Sequence, residues 1–403
     1  MSNLIRDRST ASLPARIAEV RATPIALPVR RDWRWRGLEQ QLGRWVLVRV
    51  ETDDGAVGWG EATPLSDWGG DFGRYYGETP TTVVHVVEDL IAPALRGLDL
   101  WDDGSIAGHV ATVIRGHPYA RAAVEMALWD VRGRVAGQPV HQLLGGVVRT
   151  RVPIAHMLGL MPVDEAVAEA RAAASDGLAA FQIKLAGHPS ADVELVGAIR
   201  DAVGPEAVLR ADVNQGYAQL SLKAAIAAVR SIAAAGADLV EQPVEGMTAL
   251  AAVTAAVDVP IIADESCWNA ADAVELATRR AADGISVYVA KAGGLRAAQR
   301  VAEIARSHGL PCDVNGSLES GIGTLASLQL AATCPAIVLP AVISCPAPAG
   351  ADTTRHAGRY YEDDVLTEAL QYEAGALIVP ASPGLGVQVD EDKVKELTVG
   401  TAG

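Results

Sequence analysis

Four short hydrophobic runs each end on or beside a charged side chain: Phe181-Gln182-Ile183-Lys184, Val208-Leu209-Arg210-Ala211-Asp212, Ala237-Asp238-Leu239-Val240-Glu241 and Val259-Pro260-Ile261-Ile262-Ala263-Asp264. If each run is a parallel strand of a βα barrel, the lysine and the three carboxylates converge at one mouth, the face on which such barrels carry their active sites. Asp212, Glu241 and Asp264 then offer hard oxygen ligands with no Cys or His among them, a set that suits magnesium better than zinc, with water and substrate completing the octahedron. Lys184, one strand earlier and close to a divalent cation, is expected to have a lowered pKa and to act as a general base. The cation polarises a bound carboxylate and stabilises the enediolate formed when the α-proton leaves. A single aspartate at a strand end is ordinarily a helix cap or a surface residue, and a single lysine a solvated charge. The four together carry the reading.

The chain around them has the pattern such a barrel needs. From Val152 onward short β-rich runs begin near residues 152, 181, 207, 238, 260, 284, 311 and 337 and alternate with alanine-rich helices such as 163–174, 222–235 and 296–307. Eight such units imply an α/β fold, a TIM-type (βα) barrel, or one with a modified first or last unit. An open doubly wound sheet is the competing arrangement, but no glycine-rich phosphate turn follows the first strand. Before the barrel, Ile17 to Leu27 and Arg44 to Glu51 alternate as strands of a meander with a turn at Asp53-Asp54-Gly55. Helical periodicity follows from Thr82 to about Ala136, interrupted near Pro93, Gly104 and Pro118. After about Pro346, Leu377-Ile378-Val379-Pro380 and Pro383-Gly384-Leu385-Gly386-Val387 read as strands returning to pack on the N-terminal lobe. The expected organisation is an α+β capping domain over 1–150, joined by 350–403, and a catalytic barrel over 151–349.

Composition excludes other classes. The 403 residues are half hydrophobic and carry a net charge of −15, which argues against a nucleic-acid backbone as partner. No window approaches twenty uninterrupted apolar residues, and Met1 to Arg16 lacks an apolar signal core, so a cytoplasmic protein without a membrane span is expected. Cys267, Cys312, Cys334 and Cys345 lack metal-type spacing and read as reduced packing residues. The eight histidines show no paired helical spacing.

The sequence resembles the enolase superfamily, in its muconate-lactonising enzyme and mandelate racemase branch, over nearly the whole chain. The resemblance is carried by Trp59-Gly60-Glu61, Ala127-Leu128-Trp129-Asp130, Leu143-Leu144-Gly145-Gly146, Asp212-Val213-Asn214-Gln215-Gly216, Glu241-Gln242-Pro243, Ala263-Asp264-Glu265-Ser266 and Pro383-Gly384-Leu385-Gly386. It implies one Mg2+ per subunit on Asp212, Glu241 and Asp264, Lys184 as the base, Glu265 behind the ligands, a small-molecule carboxylate as substrate, and a homo-oligomer. The pairing of a lysine base with magnesium in such sites is a known pattern of that superfamily.

Two departures from that pattern bear on the reaction. Gln182 stands where the family commonly has the first lysine of Lys-x-Lys, which removes a positive charge beside the substrate carboxylate. On the sixth strand, Tyr288 stands where this branch carries a second catalytic lysine, and Lys291 matches the non-catalytic lysine of a Lys-x-Gly-Gly turn. On a regular strand Tyr288 and Lys291 point to opposite faces, so only one enters the pocket. Tyr288 reads as a proton donor or orienting hydroxyl, or else as a residue filling the barrel. Lysine paired with tyrosine suits an elimination assisted by an acid better than epimerisation between two lysines. Dehydration of a hydroxy- or amino-acid is therefore expected, with a racemase, epimerase or cycloisomerase of a carboxylate such as an amino acid or betaine as the alternative and a non-catalytic binding protein as the third reading.

Further contacts to substrate are expected from Asn214, Asp313, Asn315 and Glu319. Trp33, Trp35 and Trp68, on two loops rich in aromatic and charged residues, offer a cage for a cationic nitrogen, with Asp67 or Asp71 adding charge. An aspartate pair of the kind that holds the ammonium of a dipeptide is not visible around Val338 to Ser344.

Overall fold

The computed structural model describes residues 15–400 apart from 39, 69 and 71–75, so Asp71, expected to add charge beside the tryptophans, lies outside the described residues. The N-terminal meander is present: β1 (Ile17–Ala26), β2 (Arg44–Thr52) and β3 (Val57–Ala62) pair antiparallel in that order. The helix Pro118–Ala136 lies across β3 at a distance only glycine permits. A Cβ on Gly60 would sit 1.9 Å from the carbonyl oxygen of Ala123, and one on Gly58 would sit 2.3 Å from that of Ala127. Gly60→Ala must push helix and sheet apart. It is expected to lower stability by about 1–3 kcal/mol, measured by urea unfolding with an unchanged dependence on denaturant.

Pro93 does not interrupt the preceding helical region as the sequence predicts. Pro80–His85, a π-helical stretch Val86–Ile91 and Ala92–Leu95 follow one another without a break. The π turn shifts hydrogen bonding, with Ala92 N donating to Val87 O, and a proline lacking its N–H fits at the turn that follows.

The barrel is a seven-stranded parallel sheet. Strand β4 (Arg151–Pro153) precedes it, and β5 (His156–Leu158), β6 (Ala180–Lys184), β7 (Val208–Asp212), β8 (Leu239–Glu241), β9 (Ile261–Ala263), β10 (Gly284–Val287) and β11 (Cys312–Val314) pair in sequence order. The two end units differ from expectation. The run at 152 is β4, which leaves the barrel for an antiparallel sheet with β12 (Tyr372–Glu373) and β13 (Ala376–Ile378). Near 337 no eighth strand forms, because Pro340 interrupts the ladder. Single parallel bridges, Cys312 with Ile337, Asn315 with Val342 and Ile154 with Ala341, close the curl instead.

The C-terminal tail divides its contacts. Leu377 and Ile378, expected on the N-terminal lobe, pair with β4. Contact with the N-terminal part is made by bridges from Tyr361 to Val29, Gly384 to Pro139 and Thr398 to Ile25. Asp130 binds the pieces together: its carboxylate accepts Trp59 N at 2.9 Å and Leu385 N at 2.7 Å and pairs with Arg134. Three of the sequence motifs thus meet at one buried carboxylate. Glu61 similarly accepts Ser320 N and Gly323 N, joining β3 to the start of the helix Gly321–Thr333.

Beside it Asp364 accepts Gly321 N at 2.9 Å, and burial, with help from Glu61, pushes its carboxyl up to about 7. A carboxyl raised in the folded state contributes stability that is present below its ordinary pKa and is lost as pH rises through about 7. Unfolding followed between pH 4 and 8 is expected to show this decline, and Asp364→Asn to flatten it. All four cysteines are buried free thiols. Among the described residues no helix is long and apolar enough to cross a membrane.

Candidate active site

Parallel register sets Lys184 beside Asp212 and Asp212 beside Glu241 at the ends of β6, β7 and β8, and Asp264 follows the last residue of β9. Lys184 Nζ lies 2.5 Å from Asp212 Oδ2 and 5.4 Å from the centre of the Trp35 ring. Gln182, two residues earlier and so on the same face, donates to Glu241 at 2.8 Å and to Asp212 at 3.2 Å. Asn214 donates from its backbone to Asp212 and from its amide to Glu265. Asn315 donates to Ser286 Oγ at 2.9 Å and to Glu241 at 3.4 Å.

Burial favours the neutral Lys184 amine, but the facing carboxylates of Asp212 and then Glu241 outweigh it and hold the pKa above its ordinary value. The acids are raised as well. Burial and then repulsion from Asp212 push Glu241 up to about 8, and burial and then Asp264 push Glu265 well above the usual carboxyl range.

Tyr288 lines the cavity and Lys291 does not, while both side chains reach Asp264. The Tyr288 hydroxyl donates to Asp264 Oδ2 at 2.9 Å, and Lys291 Nζ donates to Asp264 Oδ1 at 2.6 Å and to the Asp264 and Ser286 carbonyls. The strand ends at Val287 and Val289–Ala292 turns helical, so residues three apart fall on one side. Burial, then Asp264, raise the Tyr288 phenol well above its ordinary value. Trp68 stacks on the Tyr288 ring at 5.6 Å, with Trp268 behind it at 5.0 Å.

Other expected residues are placed differently. Trp33 lies outside the pocket, packed edge-on against His156 and Tyr360 with its indole N–H on the Tyr360 carbonyl. Of the three tryptophans, Trp35 and Trp68 line the cavity, and each faces a lysine rather than open space. Asp313 is turned into an ion pair with Arg210, so it is not free to meet the far end of a substrate. Glu319 sits behind the cavity wall, accepting Ser317 N at 3.0 Å, and burial and then Glu61 push it up to about 7. Sequence reasoning missed Arg210, although its place two residues before Asp212 on one strand is the signal that it points inward. It also missed Leu65, Met157, Leu318 and Val342, which line the cavity. That cavity is about 20 Å³, room for little more than a water molecule, so a substrate is admitted only when lining side chains move.

Among the described residues, no three His, Cys, Asp or Glu side chains already surround a common metal position; Lys184 and Lys291 sit on the carboxylate oxygens. The donor set nonetheless suits a hard divalent cation. Asp212, Glu241 and Asp264 are all-oxygen, adjacent and mutually repulsive, and the burial and repulsion that raise Asp212 and Glu241 are what added positive charge relieves.

The family described as "Enolase C-terminal domain-like" matches residues 165–393, and "Mandelate racemase / muconate lactonizing enzyme, N-terminal domain" matches 29–145. The chain is 32% identical to muconate cycloisomerase 1 of Rhodococcus opacus over 387 residues, covering 95% of this chain and 98% of that protein. It is 28% identical to the N-succinyl-L-Arg/Lys racemase of Bacillus cereus, over 88% of this chain and 90% of the relative. The crystal structure of a muconate lactonizing enzyme from Pseudomonas fluorescens complexed with muconolactone superposes with a TM-score of 0.85 at 30% identity, covering 96% of this chain and 100% of that one.

Proposed function

The chain belongs to the enolase superfamily, in its mandelate racemase and muconate lactonizing enzyme branch, and from that premise we propose that it abstracts the α-proton of a small carboxylate with Lys184 and dehydrates a hydroxy- or amino-acid. Asp212, Glu241 and Asp264 would hold a magnesium ion, which supplies Lewis acidity to the substrate carboxylate. Lys184 takes the α-proton on one face. Tyr288, on the opposite wall, orients or protonates the departing group. Lys291 fixes Asp264, and Asn214 fixes Glu265. The protein is proposed to assemble as a homo-oligomer.

The single observation that carries the reading is the asymmetry of the two walls. Lys184 faces the cavity on one side, while on the other the reachable group is a phenol and Lys291 is tied to Asp264 and two carbonyls. An exchange of configuration removes the proton from one face and delivers it to the other, which two lysines do symmetrically; a lysine facing a phenol suits an acid-assisted elimination better. The isomerase reading is kept because the relatives named above are a cycloisomerase and a racemase, and a cycloisomerisation also uses one face. Incubation with candidate acids and Mg2+ in deuterated water, followed by NMR of substrate and product, separates them. A product lacking water supports the lyase; deuterated substrate of inverted configuration sinks it.

A further inference from the structure

Gln182 precedes Lys184 by two residues on β6, and both line the same cavity. Two carboxylates fix the orientation of its amide: Nε2 donates to Glu241 Oε2 and Asp212 Oδ2, acceptors that an amide oxygen would not face. Oε1 is therefore directed elsewhere, and it is buried without a hydrogen-bond partner. Asn214 repeats the arrangement, with Nδ2 donating to Glu265 and a buried Oδ1 that has no partner. Asn214 lines the cavity as well. A buried acceptor without a donor is costly, and a ligand that brings N–H groups removes the cost.

Two separate buried acceptors call for a group with more than one N–H, which an ammonium supplies and a hydroxyl does not, and the neutral Gln182 adds no positive charge to receive a second carboxylate. Among the described lining residues, the far wall is Leu65, Met157, Leu318 and Val342, with no charged side chain.

We infer that Gln182 and Asn214 determine specificity for an α-amino acid that carries a protonated amine and a short, uncharged side chain. The ammonium N–H groups donate to the two amide oxygens while the α-proton is presented to Lys184. A trimethylated amine has charge but no donor, a hydroxyl has one neutral donor, and an unsubstituted acid has neither. The inference rests on the proton-abstraction reading above.

The test uses five probes that differ only at the α-substituent: 2-aminobutyrate, its N-methyl and N,N,N-trimethyl forms, 2-hydroxybutyrate and butyrate. Full-length protein with Mg2+ in deuterated water is followed by NMR for α-hydrogen exchange and by calorimetry for binding. The expected result is a preference for 2-aminobutyrate of about ten-fold over 2-hydroxybutyrate and about a hundred-fold over butyrate and the trimethyl form, the effect of one or two hydrogen bonds from a charged donor. Gln182→Met, close in size, lowers the preference over 2-hydroxybutyrate by about ten-fold, and Gln182→Lys does so while improving dicarboxylate binding. Butyrate or the trimethyl form exchanging as fast as 2-aminobutyrate overturns the inference. So does an unchanged preference in Gln182→Met, or 2-aminobutyrate that neither binds nor exchanges. Lys184→Ala separates the two claims: retained exchange refutes the base, while the order of binding still decides the inference.

Discussion

Lys184→Ala is expected to lower α-hydrogen exchange by about 10²–10⁴-fold, the range a positioned general base supplies. The side chain is nearly buried, and its ammonium sits 2.5 Å from Asp212. Truncation therefore also leaves two acids short of a cation, and breaking a buried pair typically costs about 3–5 kcal/mol. A divalent cation that binds only the folded protein offsets that loss. The thermal midpoint should accordingly fall in the presence of a chelator and recover with excess Mg2+, while exchange stays lost. Exchange at the wild-type rate in the folded variant would remove Lys184 from the mechanism.

The meeting of Lys184 with the three carboxylates was legible because parallel strands place their last residues at one face, and because each run ends on or beside its charged residue. Period two also puts Gln182 with Lys184. What could not be seen was where a strand stops. Gly284 to Ala290 reads as one apolar run, yet the strand ends at Val287 and a single helical turn brings Lys291 alongside Tyr288. The Gly293-Gly294 pair was the available signal: Gly293 caps that turn in the left-handed region at φ 85°. Partners distant in sequence were equally hidden. Trp33 sits in a charged loop that suggests exposure, but its ring is buried against Tyr360 in the returning tail. The eighth strand failed at Pro340, whose effect on the ladder the sequence states openly.

Arg210→Met is expected to cause the largest loss of stability, about 3–5 kcal/mol. The guanidinium is buried and touches both Asp313 and Glu241. Burial alone would weaken its charge, but the attraction of Asp313 and then of Glu241 prevails and its pKa is raised. Methionine fills similar volume without the charge, so the effect measured is the exposure of the two acids to each other rather than a cavity. Asp313 suffers most, since its remaining hydrogen-bond partner is the Ser286 hydroxyl at 3.5 Å. Removing that orphaned charge should restore part of the loss, and Arg210→Met with Asp313→Asn is expected to be more stable than Arg210→Met alone, by a coupling of about 0.5–3 kcal/mol. Urea unfolding of the wild type, both single variants and the double variant measures the cycle. A single Arg210→Met variant as stable as the wild type would mean that the pair does not hold the barrel floor. The same substitution reaches the proposed cation site through Glu241 Oε2, which loses its guanidinium contact at 3.4 Å. Glu241 should then bind Mg2+ with a changed affinity even in variants whose stability the second substitution has restored.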